Sequence, residues 1–332
     1  MSVKDSMHTL MDKDGGGRVV AIVGASGYIG RHIVAELRRL GGYKIKLLAR
    51  SLDPNPMETN IDAFVEVFKG DLQQPESLYG FFEPNCTVIN LVYLWRAGEM
   101  VNLQVAANLI KACKAAKVKR LIHCSTAAVV GRTKDDLITE NTPCRPVTEY
   151  GMTKLKVDQA IIGAGQGCFD VVILRPTSVF GPEGDPLKKL AGDIVSGSRF
   201  GNYLKSCLFG KRRMNLVSVA NVVGAIIFMI KREENLGGEI FVVSNDDSPC
   251  NNFSDVETFL MRAFNIDEYL LPRISMPLCV LTMLLKMMGR NNINPRCNYA
   301  SNKLRSLGFE SVVMFETALA EYAAWYRSSK LS

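Results

Sequence analysis

Arg18-Val-Val-Ala-Ile-Val-Gly24-Ala-Ser26-Gly27-Tyr28-Ile29-Gly30 reads as an apolar strand from Arg18 to Val23 that runs straight into three glycines and then a helix to about Leu40. Glycine at such a turn takes backbone angles that other residues resist. It also lets the main chain approach a pyrophosphate, whose charge the helix N-terminus stabilises. A glycine triplet alone marks only a βα turn. With a strand before it, a helix after it and its place as the first βα unit, it reads as a dinucleotide cradle made by Gly24, Ser26, Gly27, Tyr28, Ile29 and Gly30.

Working outward, short apolar runs alternate with helical patterns up to residue 182. Strands are expected at Lys44 to Ala49, Ala63 to Phe68, Thr87 to Val92, Arg120 to Cys124 and Val171 to Leu174. Helices are expected from about Glu99 to Ala116 and from near Tyr150. Such alternation implies parallel pairing and right-handed crossovers, a doubly wound α/β sheet. After Pro182 the rhythm becomes irregular, with helices expected at Pro186 to Ser196, Ala220 to Lys231 and Phe253 to Phe264, and one strand at Ile240 to Val243. The expected organisation is a tail over 1–17, a dinucleotide-binding domain over 18–182, and a smaller mixed C-terminal substrate-binding lobe over 183–332 with some return to the main sheet.

Composition narrows the class. A chain of 332 residues with 47% hydrophobic and 22% charged residues is ordinary for a globular protein with a substantial core. The net charge of +7 is mild and has no basic run interleaved with aromatics, so nucleic acid is not an expected partner. Lys211-Arg212-Arg213 reads as a solvated loop or as a site for an anion. Nine cysteines without a C-x-x-C pair, and three scattered histidines, argue for reduced thiols in a cytoplasmic setting and no metal centre. No segment reaches the roughly 20 apolar residues that span a bilayer. Ile274 to Met288 comes nearest and reads as a lid or buried helix, with interfacial membrane contact as the alternative.

The chemistry sits further along. Tyr150 and Lys154 lie four apart, on one face of a helix. A phenol with an ordinary pKa near 10 releases its proton reluctantly at neutral pH, and a nearby ammonium would favour the phenolate. Thr126, or its neighbour Ser125, follows the fifth strand at the edge where open α/β sheets bind ligands. There a hydroxyl can hold a substrate oxygen as its charge changes. Tyr-x-x-x-Lys occurs twice more, at Tyr299/Lys303 and Tyr326/Lys330, without such a setting. Those two read as surface helix faces.

Cofactor choice is expected at the second strand. No acidic residue stands near its end to take a ribose 2′-hydroxyl; Arg50 and Ser51 stand there instead, and Arg31 follows the last loop glycine. Cations there suit the 2′-phosphate of NADP, preferred here over NAD. Asp71, with Leu72, follows the third strand, placed for the adenine amino group or for a simple turn.

With these residues in view, the chain resembles the extended short-chain dehydrogenases/reductases, the epimerase/dehydratase type of Rossmann enzyme. The resemblance runs from Arg18 to about Tyr326. It is carried by the glycine loop, Gly70-Asp71-Leu72, Val118-Lys-Arg-Leu-Ile-His-Cys-Ser-Thr126, Tyr150-Gly-Met-Thr-Lys154, Leu174-Arg-Pro-Thr-Ser-Val-Phe-Gly-Pro182 and Asn215-Leu-Val-Ser-Val-Ala-Asn-Val-Val. It implies Tyr150 as general acid/base, Lys154 as the residue that orients the nicotinamide ribose, and Thr126 as the substrate-binding hydroxyl. It further implies cofactor contacts at Leu91, Val92, Asn102 and Pro176, and a homodimer through the helices near 99–116 and 150–165.

Departures from that family's pattern bear on the substrate. Ala127-Ala128 replace the Asp-Glu that follows the hydroxyl residue in 4,6-dehydratases, which disfavours elimination. In nucleotide-sugar epimerases an asparagine stands at the position of Ser178 and an arginine at that of Met214, both on the diphosphate. Ser178 and the neighbouring Arg213 are the substitutes here, although on a strand a one-residue shift turns a side chain to the other face. The reading leans to an NAD(P)-dependent nucleotide-sugar 4-ketoreductase. A 4-epimerase and a 3β-hydroxysteroid or dihydroflavonol-type dehydrogenase are the alternatives, and a non-catalytic dinucleotide sensor is the one from another class.

Overall fold

A computed structural model describes residues 18–51, 64–287 and 294–330. Its elements in chain order are β1 (Arg18–Val23), α1 (Tyr28–Leu40), β2 (Tyr43–Ala49), β3 (Val65–Lys69), β4 (Thr87–Asn90), α2 (Gly98–Ala116), β5 (Arg120–Cys124), β6 (Leu137–Ile138), α3 (Glu149–Gly165), β7 (Asp170–Pro176) and β8 (Ser178–Phe180). There follow α4 (Lys188–Ser196), α5 (Arg199–Phe209), β9 (Leu216–Ser218), α6 (Val219–Lys231), β10 (Glu239–Val243), α7 (Phe253–Ala263), α8 (Leu278–Met287), β11 (Asn298–Tyr299), α9 (Asn302–Ser306) and α10 (Phe315–Lys330).

Seven strands form a parallel sheet in the order β10-β7-β5-β4-β1-β2-β3. The order reverses between β1 and β4, and the carboxyl side of such a switch point is where open α/β sheets bind ligands. β5 and β7 are buried along their whole length, as strands covered on both faces should be. The doubly wound fold is therefore the expected one.

The chain divides into two compact units. The first comprises the described residues up to Ser125 with Met152–Leu174 and Ile226–Ile240; the second comprises Thr126–Gly151, Arg175–Ala225 and the described residues from Phe241 onward. In the first, Leu109 and Cys113 of α2 and Val157 and Ile161 of α3 pack with Val88, Leu121 and Ile173 of the sheet. The second has its own core of Phe180, Leu216, Leu260, Phe315, Leu319 and Tyr322.

Some expectations shift. β4 ends at Asn90 rather than Val92, because the Asn90 side chain itself accepts the Val92 N–H (3.1 Å) and closes the strand with a turn. Ala63 lies outside the described residues, and β3 runs to Lys69. α5 is additional to the elements expected; Ser198, which caps it by accepting from Gly201 N, is a local start signal. Neither of the other Tyr-x-x-x-Lys pairs is a surface helix face. Tyr299 lies in β11 and its Lys303 in α9, while Tyr326 is buried against Phe264 and Tyr322. Among the described residues of 274–287, α8 buries Leu281 and exposes Val280, Met283 and Met287, so it is a surface helix and not a buried one. No helix among the described residues is long and apolar enough to cross a membrane.

Candidate active site

The glycines of the first loop have separate reasons to be glycine. Gly24 sits at φ +86°, and a Cβ there would lie 3.2 Å from Leu91 and Val92, the residues after β4. At Gly30 a Cβ would meet the carbonyl oxygens of Gly24 and Ala25 at 2.5 Å, so helix and loop touch through main chain alone. Gly27 occupies the cap position of α1 with no side-chain cap, and the first turn holds no acid. Its N–H groups therefore suit an anion. Ser26, Gly27 and Arg31 are exposed, and Tyr28 and Ile29 half-buried. These features fit the pyrophosphate of a nicotinamide dinucleotide.

Around this loop, Arg50 and Ser51 are exposed at the end of β2. Asp71 builds a turn: its Oδ1 accepts the Gln73 N–H (2.9 Å) and its own N–H donates to Ser77 Oγ (2.8 Å). Leu72 is buried, and its carbonyl accepts from Asn108 (2.7 Å). Asn102 is buried with its amide engaged by one loop, accepting from Leu94 N (2.8 Å) and donating to the carbonyls of Leu94 (3.0 Å) and Gly98 (2.8 Å). It braces the 94–98 loop, and with Asn90, Val92, Tyr93 and Lys154 it lines a cavity of the first unit.

Lys154 is almost fully buried. Its Nζ donates to the Cys124 carbonyl (3.0 Å) and lies 5.6 Å above the Tyr93 ring. Burial pulls its pKa below the usual lysine value, while Cys124 and Asp158 push it back up. Asp158, one helical turn further on, is as buried as Lys154 and forms no part of the motif read from sequence. Ser125 donates its N–H to Leu174 O (2.7 Å), continuing the β5–β7 ladder, and its hydroxyl is buried.

In the second unit, Thr126 is extended (φ −160°, ψ 148°), and its Oγ1 accepts the Ala128 N–H (3.2 Å). A Cβ on Gly151 would meet the Ala128 carbonyl at 2.8 Å, so the residue after Tyr150 packs directly on the loop that Thr126 begins. Gly131 (φ +61°) allows a second close approach: a Cβ there would lie 2.1 Å from Arg145 O, where Arg132 N donates (2.9 Å). The structure thus brings the Thr126 loop and the first turn of α3 together. Tyr150 is half-buried in that turn.

The residues expected on a substrate diphosphate fare differently. Ser178 is exposed, on β8. Arg213 is turned into its own unit: Nε donates to Asn298 Oδ1, Nη1 to the carbonyls of Ser248 (3.4 Å) and Pro249 (3.3 Å), and Nη2 to that of Asp246 (2.6 Å). Pro176 is buried at the end of β7. No cluster of His, Cys, Asp and Glu that could hold a metal occurs among the described residues.

A model of the NAD dependent epimerase/dehydratase family matches residues 20–244. The chain belongs to that family. The human sterol-4-alpha-carboxylate 3-dehydrogenase, decarboxylating, is 29% identical over 276 residues, covering 77% of this chain and 68% of that protein. A UDP-glucose 4-epimerase of Streptomyces lividans is 27% identical over 154 residues, 43% of this chain and 46% of its own. Among solved structures, the dTDP-glucose 4,6-dehydratase of Bacillus anthracis in complex with NAD superposes with a TM-score of 0.70 at 18% identity, over 95% of this chain and 98% of that one. The UDP-glucose 4-epimerase of Thermus thermophilus, also with NAD, gives 0.67 at 21%, over 94% and 99%. This family member is an enzyme of the NAD-dependent dehydrogenase, epimerase and dehydratase class.

Proposed function

We propose that this family member is an NADP-linked dehydrogenase that interconverts a ring secondary alcohol and its ketone on an apolar, sterol-like substrate. When bound, the nicotinamide supplies or accepts hydride. Tyr150 holds or releases the proton of the reacting oxygen, and Thr126 donates a hydrogen bond to that oxygen as its charge changes. The Lys154 ammonium, one turn along α3, favours the phenolate form of Tyr150 and orients the ribose. Gly24, Gly27 and Gly30 let the main chain reach the pyrophosphate.

The observation that carries the substrate class is Arg213. A diphosphate binder must present its donors outward, and those of Arg213 are committed to carbonyls and Asn298 of its own unit. That weighs against the nucleotide-sugar ketoreductase favoured on sequence. The same unit exposes Phe200, Leu204, Leu270, Leu271 and Ile274, and the similarity to sterol-4-carboxylate dehydrogenases points the same way.

A direct assay separates the readings. With NADP, 3β-hydroxysterols with and without a 4α-carboxylate should drive nicotinamide reduction, and UDP- or dTDP-linked sugars should not. Turnover confined to the sugars would overturn the substrate class.

The cofactor reading rests on Arg50, with Ser51 beside it. Arg50→Asp is expected to lower the NADP over NAD preference by about 10- to 100-fold, the equivalent of one hydrogen bond to a charged group at about 1.5–3 kcal/mol. An unchanged ratio of the two kcat/KM values would show that Arg50 does not read the 2′-phosphate.

A further inference from the structure

Behind the cavity of the first unit, three buried polar side chains stand in line: Asn90 at the end of β4, His123 on β5 and Asp158 on α3. Asn90 Oδ1 accepts the Val92 N–H at 3.1 Å, which turns its Nδ2 toward His123 Nδ1 at 3.0 Å. An amide nitrogen only donates, so His123 Nδ1 is the acceptor, and the neutral ring carries its proton on Nε2. Nε2 lies 3.6 Å from Asp158 Oδ1, longer than a hydrogen bond, so the neutral ring faces the carboxyl group across a dipolar contact.

His123 is fully buried, and burial together with the Lys154 charge holds its pKa well below the usual histidine value. It therefore faces Asp158 as a neutral dipole. The groups that face Lys154 are Cys124 from β5, the Tyr93 ring from the loop after β4, and Asp158 from α3 itself, with Tyr150 one turn before it. Cys124 is pushed up to about 11 by burial and stays a thiol. Among these described groups Asp158 is the carboxylate, and it lies one helical turn from Lys154 and raises the lysine's pKa.

We propose that Asp158 is a positioning residue for this reaction: the buried anion against which the Lys154 ammonium is held, with its carboxylate oriented by the Nε2–H tautomer of His123 that Asn90 fixes. The inference rests on the role of Lys154 given above and deepens it. The same chain of contacts ends on Val92, beside Gly24, so the lysine and the loop after β4 are braced by one set of side chains. A structural origin alone would ask for apolar residues here; instead three polar groups are buried, and His123 Nε2, which faces Asp158 Oδ1, is left without a hydrogen bond in the structure, a cost that points to a role beyond packing.

The test reads Lys154 directly. In protein labelled with [ε-¹³C]lysine, with the Lys154 signal assigned through Lys154→Arg, Asp158→Asn is expected to lower the Lys154 titration midpoint. Losing the anion destabilises the ammonium, so the proton leaves at lower pH. The alkaline limb of the kcat/KM profile should move to lower pH with it, by about one unit, with nucleotide Kd at neutral pH unchanged. Asp158→Glu should restore both midpoint and limb. Should Asp158→Asn fail to fold, His123→Leu leaves the charges in place, removes their orientation, and should move both in the same direction by less. A Lys154 midpoint and an alkaline limb that coincide with wild type in the folded variants would overturn the assignment. Full turnover in Lys154→Ala would instead overturn the role of Lys154 itself, leaving the effect of Asp158 on its titration still readable.

Discussion

Tyr150→Phe is expected to lower kcat by about 10²- to 10⁴-fold, the usual worth of a positioned general acid/base, with nucleotide Kd unchanged. The substitution removes one oxygen and keeps the ring, so the first turn of α3 and the Gly151 contact with Ala128 persist. The glycine loop that is read as holding the pyrophosphate belongs to the other end of the sequence and loses nothing. Stopped-flow nicotinamide absorbance under single-turnover conditions measures the chemical step, and fluorescence titration measures Kd. Activity within a factor of about two of wild type would remove Tyr150 from the proton path. A parallel rise in Kd would mean that the ring supports the cofactor and not the proton.

The parts of this site that sequence exposes are those built from local geometry. The Gly24–Gly30 loop is legible because turn, strand and helix are consecutive, and Gly27 and Gly30 meet main chain within a few residues; the approach of Gly24 to Leu91 and Val92 is a contact that only the fold supplies. The pair Tyr150/Lys154 is legible because four residues are one helical turn. Arg213 is different. Its direction depends on carbonyls at Asp246, Ser248 and Pro249 and on Asn298, all far along the chain. The one-residue offset from the family position hinted at a turned side chain, but only the fold supplies the acceptors. His123 is harder still. In sequence it is one polar residue in an apolar strand, and its meaning comes from Asn90 on the neighbouring strand and Asp158 on the helix above. Tyr326 shows the reverse error: a helical position near the end of the chain looks exposed until Phe264 and Tyr322 are brought against it.

Arg120→Met is expected to destabilise the fold by about 3–5 kcal/mol, the penalty for stripping the partner from a buried charge. Arg120 opens β5 and is 2% exposed; its Nε lies 2.5 Å from Asp170 Oδ2 at the start of the adjacent strand β7. Nη1 donates to the carbonyls of Met229 (2.6 Å) and Arg232 (2.7 Å), and Nη2 to that of Glu234, closing the end of α6 and the turn after it. Methionine fills the stem but leaves those three carbonyls without this donor. Asp170 would keep the Leu236 and Gly237 N–H groups on Oδ1 (2.9 Å each) and lose its counter-charge. Neighbouring Lys119 pairs with Glu233 at the surface, so Lys119→Ala should cost no more than about 1 kcal/mol. Urea melts separate the two, with the Arg120→Met midpoint lowered at unchanged slope. Adding Asp170→Asn should recover part of the loss, because the charge left behind is then gone and the two sites are coupled. Arg120 stands at the amino end of β5, whereas Lys154 donates to Cys124 at its carboxyl end. The kcat of folded Arg120→Met at low temperature should therefore match wild type, and a fall beyond the unfolded fraction would mean that the two ends of β5 are mechanically coupled.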